Sequence, residues 1–215
     1  MDDLQQLVAE YARRLDHRSL ILTLQIPTQT IDAFRRQYPK IYLPFPAFSV
    51  GIALWGNALG LIAAEKEFLS NFDIGETEFI LAHETAHIIK NHSVIALILE
   101  ILGKEIKKMI KKNTQHYEAI EILWNLIFVL TKGTTFNGLV IKNQEKEADL
   151  LAVQLTNDRP KAISALEKLA RLYANGNLDA PSHVTFIENG AIPAITFRER
   201  IQIINAYFPS ISSPS

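Results

Sequence analysis

Asp73-Ile-Gly-Glu-Thr-Glu-Phe-Ile-Leu-Ala-His83-Glu84-Thr85-Ala86-His87 is the stretch on which the reading of this sequence turns. Asp73 with Glu76 three residues on is a capping-box start. Phe79, Ile80, His83, Ala86 and His87 then recur at helical spacing, so the segment predicts a helix from Asp73 with both imidazoles on one face. Positions i and i+4 lie one above the other, which lets His83 and His87 share one tetrahedral ion. Glu84 projects beside the first imidazole. From there it reaches a water on the ion without binding the ion itself, as a general base for metal-assisted hydrolysis must. Chance alone gives H-E-x-x-H in roughly one chain in a hundred of this composition, so the motif needs a third ligand before it carries a function.

The chain has 215 residues and no cysteine. That excludes a disulfide framework, a thiolate nucleophile and a cysteine-ligated zinc or iron–sulfur centre, and leaves His, Asp or Glu to complete a metal site. The best-placed residue is Glu145 in Asn143-Gln-Glu145-Lys-Glu147-Ala-Asp149, where Glu145 and Asp149 again stand at i and i+4. A helix there presents one carboxylate to the metal and, one turn later, a second to the free N–H of a ligand histidine. Glu147, about 200° round the wheel from Glu145, is expected to face solvent. Taken alone the segment reads as a solvated acidic helix start; beside H-E-x-x-H it reads as the ligand helix. His92 lies about 140° beyond His87 on a straight helix, cannot join the same ion, and reads as a C-terminal residue favoured by the helix dipole. His17 and His116 read as surface residues.

With 48% hydrophobic and 21% charged residues, the chain has the balance of one packed domain, taken as 1–208 with a flexible tail at 209–215. A net charge of −1 argues against a nucleic-acid partner. The acidic start lacks the apolar core of a signal peptide, which points to the cytoplasm. Apolar spacing predicts an amphipathic helix over 1–19, and the runs Ala47–Trp55 and Ala58–Ala64 predict an antiparallel hairpin turning at Gly56-Asn57. Further helices are expected from about Asn143, over 161–174 and over 196–207, with 175–195 as a long loop. Residues 94–141 read as an apolar and basic helical insertion. Val94–Leu102 and Ile120–Leu130 each fall short of the about 20 apolar residues that span a bilayer, and extending the second would bury Lys132. Lys104, Lys107, Lys108, Lys111 and Lys112 interleave with Ile106, Met109 and Ile110. That pattern suits peripheral membrane contact or dimerisation, and equally a solvated helix end packed on the core. The fold class is α+β, mostly helical with a small antiparallel sheet.

HETAH followed by Asn91-His92, with EKEAD opening 58 residues after His87, resembles the HtpX-like zinc metallopeptidases. This gluzincin family includes the CAAX prenyl endopeptidases and the BepA-type periplasmic proteases. The resemblance implies a zincin-like domain, one Zn2+ per chain on His83, His87 and Glu145, Glu84 as catalytic base, and Asp149 supporting a ligand. Asn57-Ala58 looks like the family's Asn-Ala segment leading to its substrate-side strand. The likeness covers about residues 47–205. The family also carries a His-Pro pair shortly before an Arg that opens the last helix. Here Ser182-His183-Val184 lacks the proline, and Arg198 and Arg200 follow 15 and 17 residues on. On that correspondence His183 donates to the oxyanion with Arg200 assisting. Its alternatives are a fourth zinc ligand that closes the site at rest, or a loop histidine without a role.

The activity implied is that of a zinc-dependent metalloendopeptidase acting on peptide or unfolded protein, held as an added strand beside the 47–64 hairpin. The rival reading is a zinc-bound, proteolytically silent module that binds a membrane or a protein and keeps its site occluded. The short, interrupted stretch between the ligand segments argues against prenylated substrates.

Overall fold

The computed structural model describes residues 2–37, 47–92, 136–187 and 190–209. Its elements run α1 (Asp2–Arg14), β1 (Arg18–Ile26), α2 (Thr28–Gln37), β2 (Ala47–Leu54), β3 (Asn57–Glu65), α3 (Lys66–Leu69), α4 (Ile74–Ile89), α5 (Phe136–Thr156), α6 (Arg159–Ala174), β4 (Pro181–Ile187), β5 (Gly190–Thr196) and α7 (Phe197–Tyr207). This is the expected α+β class.

α4 begins where the sequence places it. The Asp73 side chain accepts from the Glu76 N–H, and the Glu76 carboxylate accepts from the Asp73 N–H, closing a capping box. The helix is apolar nearly all round, the mark of a helix buried between layers. On one side Leu81, Ile88 and Ile89 pack with Val8 and Ala12 of α1 and with Ile21, Ala53, Ala58 and Ile62 of the sheet. On the other, Phe79, Ile80 and Ala82 join Ala152, Val153, Ala162, Leu166, Phe197 and Ile204 of α5, α6 and α7. The stripe that carries the two histidines faces Glu145.

The sheet has the order β1-β3-β2. β2 and β3 form the expected antiparallel hairpin, but β1 joins parallel to β3, so the sheet is mixed. The N-terminal helix stops at Arg14 instead of reaching residue 19, and Asp16 turns the chain at φ 59°. β1 escapes sequence reading because it is apolar on both faces: Ile21 is buried while Leu20, Leu22 and Leu24 are exposed on the other side, so no alternation signals a strand. Leu59 and Val50 extend that exposed apolar face, and Trp55 stands fully out at the hairpin tip. The turn is Trp55-Gly56, one residue earlier than expected. Leu54 pairs with Asn57, and both turn residues have positive φ, 48° and 71°, as a two-residue hairpin turn of the right hand requires.

Both sheet edges carry an amide side chain from a neighbouring helix region. On β1, Gln5 accepts from the Thr23 N–H at 2.8 Å and donates to the Ile21 carbonyl. On β2, Asn91 accepts from the Ala53 N–H at 2.6 Å and donates to its carbonyl at 2.9 Å. Such side chains satisfy edge backbone that would otherwise recruit another strand. Between the edges, Gly51 and Gly60 face each other and let the sheet settle on Ile88: a Cβ on Gly60 would lie 2.9 Å from Ile88 Cδ1 and 2.7 Å from the Val50 carbonyl oxygen.

Residues 175–195, expected as a loop, contain the β4–β5 hairpin. Its prolines mislead because both strands of a two-stranded ribbon are edges, where a missing N–H is tolerated. α5 starts at Phe136, ahead of the expected Asn143, while α6 and α7 match their expected spans closely. The insertion 94–141 lies outside the described residues up to 135, and the tail lies outside them after Pro209. Among the described residues no helix is long and apolar enough to cross a membrane.

Candidate metal centre

α4 and α5 lie against each other, and each contributes two functional side chains one turn apart: His83 and His87 from α4, Glu145 and Asp149 from α5. Ala82 and Ala86 on α4, and Ala148 and Ala152 on α5, are fully buried. Side chains this small let two helix backbones approach until the longer polar residues beside them meet.

They meet at one point. His83 Nε2 and His87 Nε2 are 3.0 Å apart, His83 Nε2 is 3.5 Å from Glu145 Oε2, and His87 Nε2 is 3.4 Å from Glu145 Oε1. Ligand atoms at the corners of a zinc tetrahedron, 2.0–2.1 Å from the ion, stand about 3.3 Å from one another. Each imidazole nitrogen thus stands close to that spacing from the other and from one oxygen of the Glu145 carboxylate. The donor set also fits the ion chemically: two imidazoles and a carboxylate, with no thiolate, leave a fourth position for water or substrate. Among the described residues these three form the group able to hold a metal.

Behind His83, Asp149 Oδ1 lies 2.9 Å from Nδ1, so the carboxylate accepts the Nδ1 proton and leaves Nε2 free for the metal. Asp149 is fully buried and is itself gripped by Arg200, whose Nε and Nη2 donate to its two oxygens at 2.7 and 2.6 Å. Arg200 Nη1 lies 3.3 Å from Glu145 Oε2. The guanidinium thus neutralises one of two buried carboxylates and leaves net negative charge at the site. Burial alone would lower the His83 pKa, but the Asp149 and Glu145 carboxylates outweigh it and raise it to about 9. Burial would raise Glu145; the two imidazoles and Arg200 instead hold it well below its ordinary value.

His87 is oriented differently, by a residue that sequence reasoning set aside. α4 ends at Ile89, and Asn91 adopts the left-handed conformation at φ 57°, with its side chain fastened to Ala53 of β2. This turn folds the chain back and brings His92 Nδ1 to 2.8 Å from His87 Nδ1. The straight-helix angle of about 140° does not apply once the helix has ended. Glu147, expected to face solvent, is half-buried on that side: its Oε2 is 3.4 Å from His92 Nε2 and its Oε1 is 2.7 Å from Lys90 Nζ. Asn is the non-glycine residue most at ease in the left-handed region, so Asn91 was the one sequence signal available.

Glu84 is partly exposed on α4 next to His83 and carries no hydrogen bond among the described residues. The backbone puts His183 on β4 opposite Ile195, at a register irregularity; its side chain lies outside the described residues. Arg200 is buried on the two carboxylates, and Arg198 pairs at the surface with Asp179 at 2.5 Å.

A family model described as Peptidase family M48 matches residues 6–210. The match starts some forty residues ahead of the stretch that carried the sequence resemblance, and so takes in α1 and β1. A protease HtpX homologue of Listeria monocytogenes serotype 4a (strain HCC23) is 28% identical over 162 residues, covering 61% of this chain and 52% of that protein. An uncharacterized metalloprotease, YhfN, of Bacillus subtilis (strain 168) is 30% identical over 152 residues, covering 62% of this chain and 35% of that one. The chain thus spans about half or less of the length of these curated relatives. No solved structure matches.

Proposed function

The chain belongs to the M48 family of metalloproteases, and on that premise we propose that it is a zinc-dependent metalloendopeptidase cutting peptide bonds in flexible or misfolded protein segments. The observation that carries the proposal is the convergence of His83, His87 and Glu145 on one point, with the Glu84 carboxylate, which makes no hydrogen bond among the described residues, at the next position on the same helix. Zinc bound there would polarise a scissile carbonyl and lower the pKa of water at its open position towards about 7. Glu84 takes the proton from the attacking water and delivers it to the leaving amine. Arg200 keeps Asp149 ionised and aimed at His83, a positioning task, and its cationic edge adds to the field at the oxyanion. His183 is the proposed donor to that oxyanion, or the ligand that closes the site at rest. β2, at the edge of the sheet, packed on α4 and held by Asn91 at its Ala53 end, suits an extended peptide bound through backbone hydrogen bonds along the rest of the strand, which favours unfolded substrate over a defined side-chain sequence.

Peripheral membrane contact, or dimerisation, through 94–141 belongs to the same proposal. The exposed leucines of β1 and β3 and the protruding Trp55 supply a second apolar surface that supports it. Sedimentation with and without anionic vesicles separates these two.

Metal analysis with a peptidase assay on an unfolded protein tests the activity. The expected result is about one zinc per chain, cleavage by the wild type, and a loss of at least 100-fold in Glu84→Gln with zinc retained. Zinc-loaded protein that cleaves nothing, even as His183→Ala to relieve a closed site, favours the silent binding module; protein that takes up no zinc ends both readings.

A further inference from the structure

We propose that His92 is a positioning residue for the metal site, its Nδ1 accepting a hydrogen bond from His87 Nδ1–H and its Nε2–H donating one to Glu147, so that the two ligand histidines are held by two separate relays. The inference rests on the zinc reading above and goes beyond it in assigning a role to a residue outside the ligand and catalytic sets.

Two ring nitrogens 2.8 Å apart, His87 Nδ1 and His92 Nδ1, share one hydrogen, so one donates and the other accepts. For His87 to offer the Nε2 lone pair to a metal, its proton must sit on Nδ1. His92 Nδ1 is then the acceptor, and the His92 proton must sit on Nε2. That nitrogen faces Glu147 Oε2 at 3.4 Å, and an ionised carboxylate can only accept. Every polarity in the chain follows from the first requirement, and none conflicts.

The surroundings hold this arrangement in place. His92 is 4% exposed, so water does not compete for its ring. The Gln144 side-chain amide approaches its carbonyl at 3.4 Å, and Asn91 ties the preceding residue to β2. Glu147 is kept ionised and turned inward by Lys90 at 2.7 Å. The His83 relay runs to Asp149 and Arg200; the His87 relay runs through His92 to Glu147 and Lys90. Each ends in a carboxylate backed by a cation. They differ in that the first carboxylate binds its histidine directly and is buried, whereas the second acts across a neutral ring and its side chain is 46% exposed.

The test compares His92→Leu, which removes the acceptor, with His92→Asn, whose Oδ1 can stand near the place of Nδ1. Zinc affinity is measured against a competing chelator, and folding is checked by circular dichroism. The second readout is the His87 Nδ1–H resonance in the 15N-histidine NMR spectrum of the zinc-loaded protein. The expected result is a 10–100-fold loss of zinc affinity in His92→Leu, largely restored in His92→Asn, with the protected Nδ1–H signal present in wild type and Asn but not in Leu. Wild-type affinity in His92→Leu overturns the proposal, and so does His92→Asn failing as badly as Leu, since that loss would be one of packing. If the wild type itself takes up no zinc, the zinc reading fails first and takes this one with it.

Discussion

Asp149 and Arg200 allow the stability of the site to be separated from its metal chemistry. Asp149→Leu removes a buried carboxylate that accepts two hydrogen bonds from Arg200 at 2.7 and 2.6 Å and one from His83 at 2.9 Å. Arg200, 6% exposed, loses both of those hydrogen bonds and keeps Glu145 at 3.3 Å. Breaking one partner of a buried pair costs about 3–5 kcal/mol, because the remaining charge is uncompensated. Replacing both partners by apolar side chains of similar size is often neutral, so Asp149→Leu with Arg200→Met should recover most of that loss. The metal affinity should not recover. Both variants lack the acceptor on His83 Nδ1, and loss of such a support lowers metal affinity by about 10–100-fold. Urea unfolding in excess chelator measures the first quantity and chelator competition the second. A double variant as unstable as the single would refute the buried-pair argument, and unchanged zinc affinity in either would refute the orienting role of Asp149.

Two further outcomes follow from the packing of α4. Glu76 is 1% exposed and accepts from the Asp73 N–H, Ser164 and Lys168 at 2.8, 2.6 and 2.5 Å. Burial would raise its pKa, but Lys168, Ser164 and the Asp73 N–H together depress it. Its stabilisation is therefore full above the unfolded pKa of about 4.3 and disappears as pH falls through the folded value. Wild type should lose stability on acidification more steeply than Glu76→Gln; parallel urea midpoints from pH 6 to pH 3 would contradict this. Gly60→Ala places a methyl 2.7 Å from the Val50 carbonyl oxygen and 2.9 Å from Ile88 Cδ1. Crowding of this kind costs about 1–3 kcal/mol, and Ile88→Ala should relieve only part of it because the carbonyl contact stays. A Gly60→Ala variant within about 0.5 kcal/mol of wild type would show that the sheet can lift off α4 freely.

The places where sequence reading failed share a cause. β1 was missed because its leucines and isoleucine populate both faces, so the strand period is absent from the residues themselves. The β4–β5 hairpin was missed because proline and glycine were weighed as if every strand were a central one. His92 was placed by extending a straight-helix angle past the point where Asn91 ends the helix, and Glu147 was assigned to solvent although the fold-back after α4 sets Lys90 and His92 against its side of α5. Each is a long-range arrangement that local periodicity does not encode: a parallel partner, a ribbon of two edges, a helix stop fastened to a strand 38 residues earlier in the chain.

By itself, the sequence determined the chemistry that lies within one helical turn. Spacing alone puts His83 above His87 with Glu84 beside them, and Glu145 one turn from Asp149, since the geometry of an α-helix is the same wherever it occurs. The tertiary structure decided what those turns face. The approach of α4 and α5 over buried alanines brings the Glu145 carboxylate within 3.5 Å of both ligand imidazoles, α7 supplies Arg200 to Asp149, and the fold-back after Ile89 gives His87 a partner. Arg200 Nη2 also comes within 3.4 Å of His83 Nδ1, 117 positions away. Only the packing of the whole chain fixes these contacts, because their energy depends on burial and on distances between elements that no local pattern specifies.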